Sequence, residues 1–413
     1  MTALSRRLGL ADAVGIGLGS MIGAGVFVVW APAARAAGSW LLVSLVLAAL
    51  VAVCNAWSSA ALAVRYPSAG GAYVYGRERL GPFAGYLAGW SFVVGKIASC
   101  AAMAMAIAAY AAPGRERVAA AVAVVVVTGL NLTGVQRSAG VSRLISTVVI
   151  AVLAGVVVAG AVGGGDAPRP ELFTDPARAY GVLQAAGLIF FAFAGYARIA
   201  TLAEEVTEPH RTIPRAVAIT VTAVLVLYTV VAVLTLAVLG PAELARVADP
   251  VAAATAAVLP SGWVWAVRAV AALAAFGALL NLVLGVSRTS LAMARDGHLP
   301  GHLARVDDRG VPQHAEIAVG AIVLVLVLLV DLRGAIGFSS FGVLTYYAVA
   351  NASAWTLRDW RWSRSVPAVG LLGCLVLAWS LPWPSVLTGA LVLGAGTILY
   401  AVTRGRRSLT GGA

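Results

Sequence analysis

Gly15-Ile-Gly-Leu-Gly-Ser-Met-Ile-Gly-Ala-Gly-Val-Phe27 lies inside the first apolar stretch of the chain, and its reading decides the fold. Each glycine in a helix interior costs about 1 kcal/mol relative to alanine. Irregular backbone at membrane depth survives only where it lines a cavity or is buried in protein. An unwound stretch frees amide N–H and C=O groups, and a zwitterion needs both: donors for its carboxylate and acceptors for its ammonium. The same glycines also fit a small-residue packing face, because Gly15/Gly19 and Gly19/Gly23 have GxxxG spacing. Spacing alone does not separate the two readings.

A second stretch bears on the choice. Phe190-Phe-Ala-Phe-Ala-Gly-Tyr196 interrupts the sixth span with a glycine flanked by aromatics. The first and sixth spans correspond if the chain is built from two five-helix repeats. Paired interruptions at matching positions point to a transporter site at the repeat interface. Half-helix N-termini carry partial positive charge and suit a carboxylate.

Composition sets the frame for both. Of 413 residues, 61% are hydrophobic and 11% charged. A soluble domain carries about 25% charged residues. This chain cannot cover a water-facing surface, which excludes a soluble enzyme, a nucleic-acid-binding module and a disordered protein. A helix crosses a bilayer with roughly 20 apolar residues. Spans are expected at about 11–35, 39–64, 83–111, 117–135, 140–162, 180–203, 215–239, 263–287, 314–331, 333–357, 366–381 and 384–403. The first is expected to be retained rather than cleaved as a signal peptide. With the N-terminus inside, most of the 29 Lys and Arg residues fall in inner segments, so the +12 charge is an orientation signal. Both termini are then cytoplasmic, and no nucleic-acid partner is implied. Cys54, Cys100 and Cys374 are scattered through apolar segments with no ligand spacing, so small buried residues and no metal site are expected.

Five ordered motifs resemble the amino acid–polyamine–organocation (APC) permeases. They are Gly19-Ser-Met-Ile-Gly-Ala-Gly-Val-Phe27; Tyr66-Pro-Ser-Ala-Gly-Gly-Ala-Tyr-Val-Tyr75 with Gly89-Trp90; Gly134-Val135 with Ser138; Phe190 to Ala216; and Arg288 to Pro300 with Ala294-Arg-Asp-Gly297. The resemblance covers roughly residues 8 to 360. It implies an all-α polytopic membrane protein of about 12 helices, a five-plus-five inverted repeat with helices 1 and 6 broken, and two further C-terminal helices. Repeat one would cover about 11–162, repeat two about 180–357, and the accessory helices about 366–403. It also implies alternating access with an amino acid as substrate, and the use of arginine over lysine with no long outer loops points to a bacterial inner membrane. Ser20, Met21, Ile22, Gly23, Ala24 and Gly25 would hold the substrate's carboxylate and amino group through backbone. Phe190, Phe191, Phe193, Ala194 and Gly195 would complete the site, aromatics near Phe191 and Phe193 closing over it. Core or lipid-facing packing is the other reading of the phenylalanines.

Lys96 is the single lysine. It falls about 13 residues into the third span, roughly 20 Å along the helix. A charge at that depth is costly and suggests function. A buried lysine can release its proton in a useful pH range, whereas a guanidinium cannot. Proton coupling or substrate contact stands beside snorkelling or a structural tether to a carbonyl. Some proton-coupled relatives carry a lysine in helix five, where this chain has Val149. Ala278 and Leu279 stand where hydroxyl ligands would serve sodium, so the proton is the expected coupling ion and no cofactor is expected.

Other polar residues are weighed in the same way. Arg198 could gate with Glu204 or Glu205, or snorkel to the interface. Glu204, Glu205 and Arg211 form either a gating network or a solvated end. Asp12, Glu316 and Asp331 fall at span ends, leaving no acid in the middle of any span. Asn131-Leu-Thr133 matches a glycosylation sequon but lies on the inner side. No catalytic cluster is present, so an enzyme is not expected. The expected function is secondary transport of amino acids, proton-coupled and for neutral substrates. An exchanger, or a carrier of cationic amino acids or polyamines, is the alternative.

Overall fold

The computed structural model describes residues 8–67, 70–134, 139–163, 173, 176, 178–196, 198–199, 206–307, 311–357 and 364–410. Among them the chain is helical, with one isolated parallel bridge between Leu8 and Val206. The first span is split into α1 (Leu10–Met21) and α2 (Gly25–Val28), continued by α3 (Trp30–Ala37). Then come α4 (Leu41–Arg65), α5 (Ala72–Leu80), α6 (Pro82–Ala111), α7 (Glu116–Leu132), α8 (Ala139–Gly163) and α9 (Ala179–Phe193). The rest are α10 (Pro209–Leu244), α11 (Pro250–Val258), α12 (Ser261–Arg295), α13 (Gln313–Leu329), α14 (Leu332–Trp355), α15 (Ser365–Ser380) and α16 (Trp383–Thr410). Seven helical stretches have the length and composition to cross a membrane, and α9, α13 and α15 are shorter apolar helices. The short helices α5 and α11 lie between spans and were not expected from the apolar pattern.

The packing has an internal symmetry. Exchanging the first five spans for the next five maps one set of contacts onto another. α4 packs on α9 as α10 packs on α1, and α6 on α14 as α12 on α8. α6 on α7 matches α12 on α13, α6 on α13 matches α12 on α7, and α1 on α8 matches α9 on α14. α6–α12, α4–α10 and α7–α13 pair with themselves under the exchange. α15 and α16 pack against α14 outside this scheme. The protein is an all-α polytopic membrane protein with its first and sixth spans broken, as the paired glycine interruptions lead one to expect.

Apolar side chains are turned outward as well as inward. Leu329 is 78% and Ile398 67% exposed, while polar Ser44, Asn55, Thr220 and Asn351 are fully buried. Such an outside suits lipid rather than water. The three cysteines are free and buried. Two of the sequence motifs turn out to be partners in one contact. Tyr73 on α5 donates to the Asp296 carboxylate at the end of α12, which Arg77 also reaches at 3.6 Å. The Tyr346 hydroxyl caps the start of α5, accepting from the Ala72 amide at 2.9 Å.

A close crossing joins α6 and α14, where a Cβ built at Gly342 would lie 2.8 Å from the Gly95 Cα. Beside it the Ser99 and Ser339 hydroxyls share a hydrogen bond of 2.6 Å. Gly342→Val therefore forces two backbones apart and is expected to destabilise by about 1–3 kcal/mol. Thermal unfolding in detergent measures this as a lowered melting temperature.

Candidate functional site

The break in the first span is narrower than its glycine run. α1 stays helical through Gly15, Gly17 and Gly19 and ends at Met21. Ile22 departs from helical geometry (φ −84°, ψ 62°), its N–H still donating to the Leu18 carbonyl at 2.7 Å. Helix resumes at Gly25. The first N–H groups of a helical segment have no partner within it. Here the amides of Gly23, Ala24, Gly25 and Val26 find no backbone acceptor among the described residues. Met21 to Gly25 are all buried, and Ser20 is half-buried with its hydroxyl donating to the Ile16 carbonyl at 2.8 Å.

Both readings of the glycine run hold, at different residues. Ile22 to Ala24 form the break. Gly17 and Gly25 serve contact: a Cβ on Gly25 would lie 2.7 Å from the Ala192 Cα, and one on Gly17 would lie 2.6 Å from Ile199. The matching break follows α9, at residues 194–196. A Cβ on Gly195 would lie 2.3 Å from the Ser20 carbonyl oxygen. The two interruptions therefore touch backbone to backbone, Gly195 against Ser20 and Gly25 against Ala192.

Carbonyls freed by the breaks are taken up by side chains from other spans. The Tyr228 hydroxyl on α10 sits 2.6 Å from the Met21 carbonyl and 3.0 Å from that of Ala192, one phenol bridging both broken helices. Lys96 Nζ on α6 donates to the Ala194 carbonyl at 3.3 Å, and the Tyr347 hydroxyl on α14 reaches it at 3.4 Å. The Tyr110 hydroxyl donates to the Phe27 carbonyl at 2.7 Å. Lys96 is 9% exposed, with no carboxylate within 4.0 Å among the described residues. Phe190 and Phe193 are fully buried, set edge-on to Tyr347 and Tyr228 with ring centroids 5.9 Å and 5.0 Å apart. Phe191 is buried as well.

Sequence reasoning missed the tyrosines. The available signal was a hydroxyl deep in an apolar span, since a buried Tyr O–H finds a partner. Among the gating candidates, Glu204 and Glu205 lie outside the described residues. Arg198 is exposed, and Arg211 pairs with Glu208 at 3.7 Å on the surface. The N-terminal end of α1 is tied by other groups. Asp12 pairs with Arg143 on α8 at 3.1 Å, and the Thr207 amide donates to the Leu8 carbonyl at 2.9 Å. Arg143 passes over Gly15, whose missing side chain leaves room for its methylenes.

Two interrupted helices meeting backbone to backbone define a membrane protein of the broken-helix kind. The amino acid permease family matches residues 8–407, and the chain belongs to that family, within the APC superfamily. It is 57% identical over 405 residues to an uncharacterized transporter of Mycobacterium bovis, covering 97% of this chain and 92% of that protein. It is 26% identical to the branched-chain amino acid permease BcaP of Bacillus subtilis, covering 96% of this chain and 93% of that protein. Cationic amino acid transporter 7 of Arabidopsis thaliana is 30% identical, over 84% of this chain and 65% of the plant protein. The protein is a multi-pass membrane transporter for amino acids.

Tyr228→Phe leaves the Met21 and Ala192 carbonyls enclosed without this donor. An unsatisfied buried group costs about 1–3 kcal/mol, so a lower melting temperature and slower transport are expected. Parallel detergent melts and uptake assays measure both.

Proposed function

We propose that the protein takes up neutral amino acids across the cytoplasmic membrane together with protons, by alternating access at the two helix breaks. The observation that carries this reading is the placement of amides unpartnered among the described residues, at Gly23 to Val26, a backbone contact away from the carbonyl end of α9. The amides suit the α-carboxylate and the carbonyls near Ala194 suit the α-ammonium. Ser20, Met21, Ile22, Gly23, Ala24 and Gly25 line one side, and Phe190, Phe191, Phe193, Ala194 and Gly195 the other. Both termini are cytoplasmic in this reading, on the arginine bias of the inner segments. Residues of about 11–162 and 180–357 are the two repeats.

Charge favours a neutral substrate. The one ionised side chain at the breaks is a cation, Lys96, and no acid stands there among the described residues to receive a second cation. Lys96 occupies a carbonyl that suits the substrate's own ammonium. Two ammonium groups at one carbonyl repel in a poorly hydrated site. Entry of substrate thus favours loss of the lysine proton, and this links substrate to proton movement.

Uptake of a labelled amino acid panel into proteoliposomes, with and without an inward proton gradient, tests the reading. Wild type is expected to accumulate neutral amino acids under the gradient. Lys96→Ala loses the accumulation. Lys96→Arg keeps a charge and a donor but holds its proton, so it is expected to exchange substrate without accumulating it. Transport that requires internal amino acid and ignores the gradient and Lys96→Ala makes the protein an exchanger with Lys96 as a tether.

A further inference from the structure

Glu316 lies in the first turn of α13, at a span end, and is fully buried. Its surroundings hold few donors for a carboxylate: the Asn131 amide of α7 and, on α12, the Ser287 hydroxyl. Among the described residues no cation lies within 4.0 Å of it. One oxygen, Oε2, accepts from the Asn131 amide of α7 at 3.5 Å, and the same amide nitrogen also donates to the Leu280 carbonyl of α12 at 3.3 Å. The other oxygen, Oε1, is enclosed without a partner. Asn131 Oδ1 and, one turn further along α7, Thr128 Oγ1 are enclosed without partners too.

A permanent carboxylate here would need several committed donors or a cation. A permanently neutral structural acid would commit its hydroxyl to an acceptor, and glutamine would serve as well. Unpartnered oxygens gathered around a buried carboxyl mark a group that changes its proton content. The ionisable side chains that act on it are few. α6 supplies Cys100 and α12 supplies Arg288, which is exposed. α7 contributes only Asn131 and Thr128 at this level. The 3-10 turn Gly301–Ala304, which also packs on α13, carries His302, and His314 on α13 itself is exposed.

The cluster is joined to the helix breaks by one turn of α12. Ala278 stands against Gly23, whose added Cβ would lie 2.9 Å from the Ala278 Cβ. Two residues on, the Leu280 carbonyl holds Asn131. The first-span break and the amide facing Glu316 thus contact the same turn of α12.

We propose that the Glu316 carboxyl is a second proton-binding site of this permease, separate from Lys96, loaded and emptied as the first-span break moves against Ala278. The step is a bare proton transfer: a hydronium ion gives its proton to the carboxylate, leaving water and the neutral acid, and release to water at the N-terminal side reverses it. The inference rests on the proton-coupled reading above.

The test compares wild type, Glu316→Gln and Glu316→Asp in proteoliposomes. Counterflow exchange, which needs no gradient, reports amino acid transport by itself, and accumulation under a proton gradient reports coupling. Glu316→Gln is expected to retain counterflow, lose accumulation and flatten the pH dependence of uptake, and Glu316→Asp to restore accumulation with its pH dependence shifted from that of the wild type. Accumulation by Glu316→Gln with the wild-type pH profile overturns the proposal, as does accumulation driven by sodium in place of protons. If the Gln variant fails to fold, Glu316→Asp decides: coupling at a shifted pH supports the site, and an unchanged pH profile overturns it. The protonated-carboxyl infrared band of the wild type is read independently of transport. It is expected to appear on acidification and to move in Glu316→Asp, and a band constant at all pH, or absent, overturns the proposal. Absence of counterflow for every amino acid tried sinks the substrate reading and leaves the infrared test standing.

Discussion

Everything at the centre of this protein follows from one constraint: backbone groups released from a helix inside an apolar bundle must find partners. Each unpartnered N–H or C=O in such surroundings costs several kcal/mol. The two broken spans release such groups at the same place. Side chains from three other spans take up the carbonyls, Tyr228 at Met21 and Ala192, Tyr347 and Lys96 at Ala194. The amides of Gly23 to Val26 are left over. Among the described residues, engaged acceptors beside free donors suit an anion, and the proposed substrate supplies one in its α-carboxylate.

This arrangement also separates rigid parts from movable ones. The α6–α14 crossing is fixed by glycine facing glycine and by the serine pair beside it. α1, by contrast, is a short rod ended at Met21. Polar ties hold it at both ends: Asp12 to Arg143 and Leu8 to Thr207 at one, the Met21 carbonyl to Tyr228 at the other. The Asp12–Arg143 pair is partly exposed, and such pairs contribute little net stability.

Much of this was legible beforehand, and the limits are instructive. The break in the first span was expected somewhere within Gly15 to Phe27, and it lies at Ile22 to Ala24. The remaining glycines mislead because a missing Cβ serves two purposes, unwinding and close approach. At Gly15 it makes room for Arg143, and at Gly195 for the Ser20 carbonyl. Lys96 stood out as the only lysine, deep in a span, but not its partner, since Ala194 is 98 residues away and the bond is to backbone. Glu316 was read as a span-end acid because it lies close to polar residues in the sequence, and the structure encloses it completely.

The sequence by itself determined the membrane environment, the all-helical class, the two interruptions and the scarcity of charge in apolar segments. These are properties of single segments, set by hydropathy, glycine content and distance along one helix. Only the tertiary structure decided which side chains complete the backbone at the breaks, which glycines are contacts and which are hinges, and that an acid near a span end is sealed among three helices. Those outcomes depend on neighbours tens to hundreds of residues away. A helix's own periodicity reports which face is apolar, not which group waits on the other side.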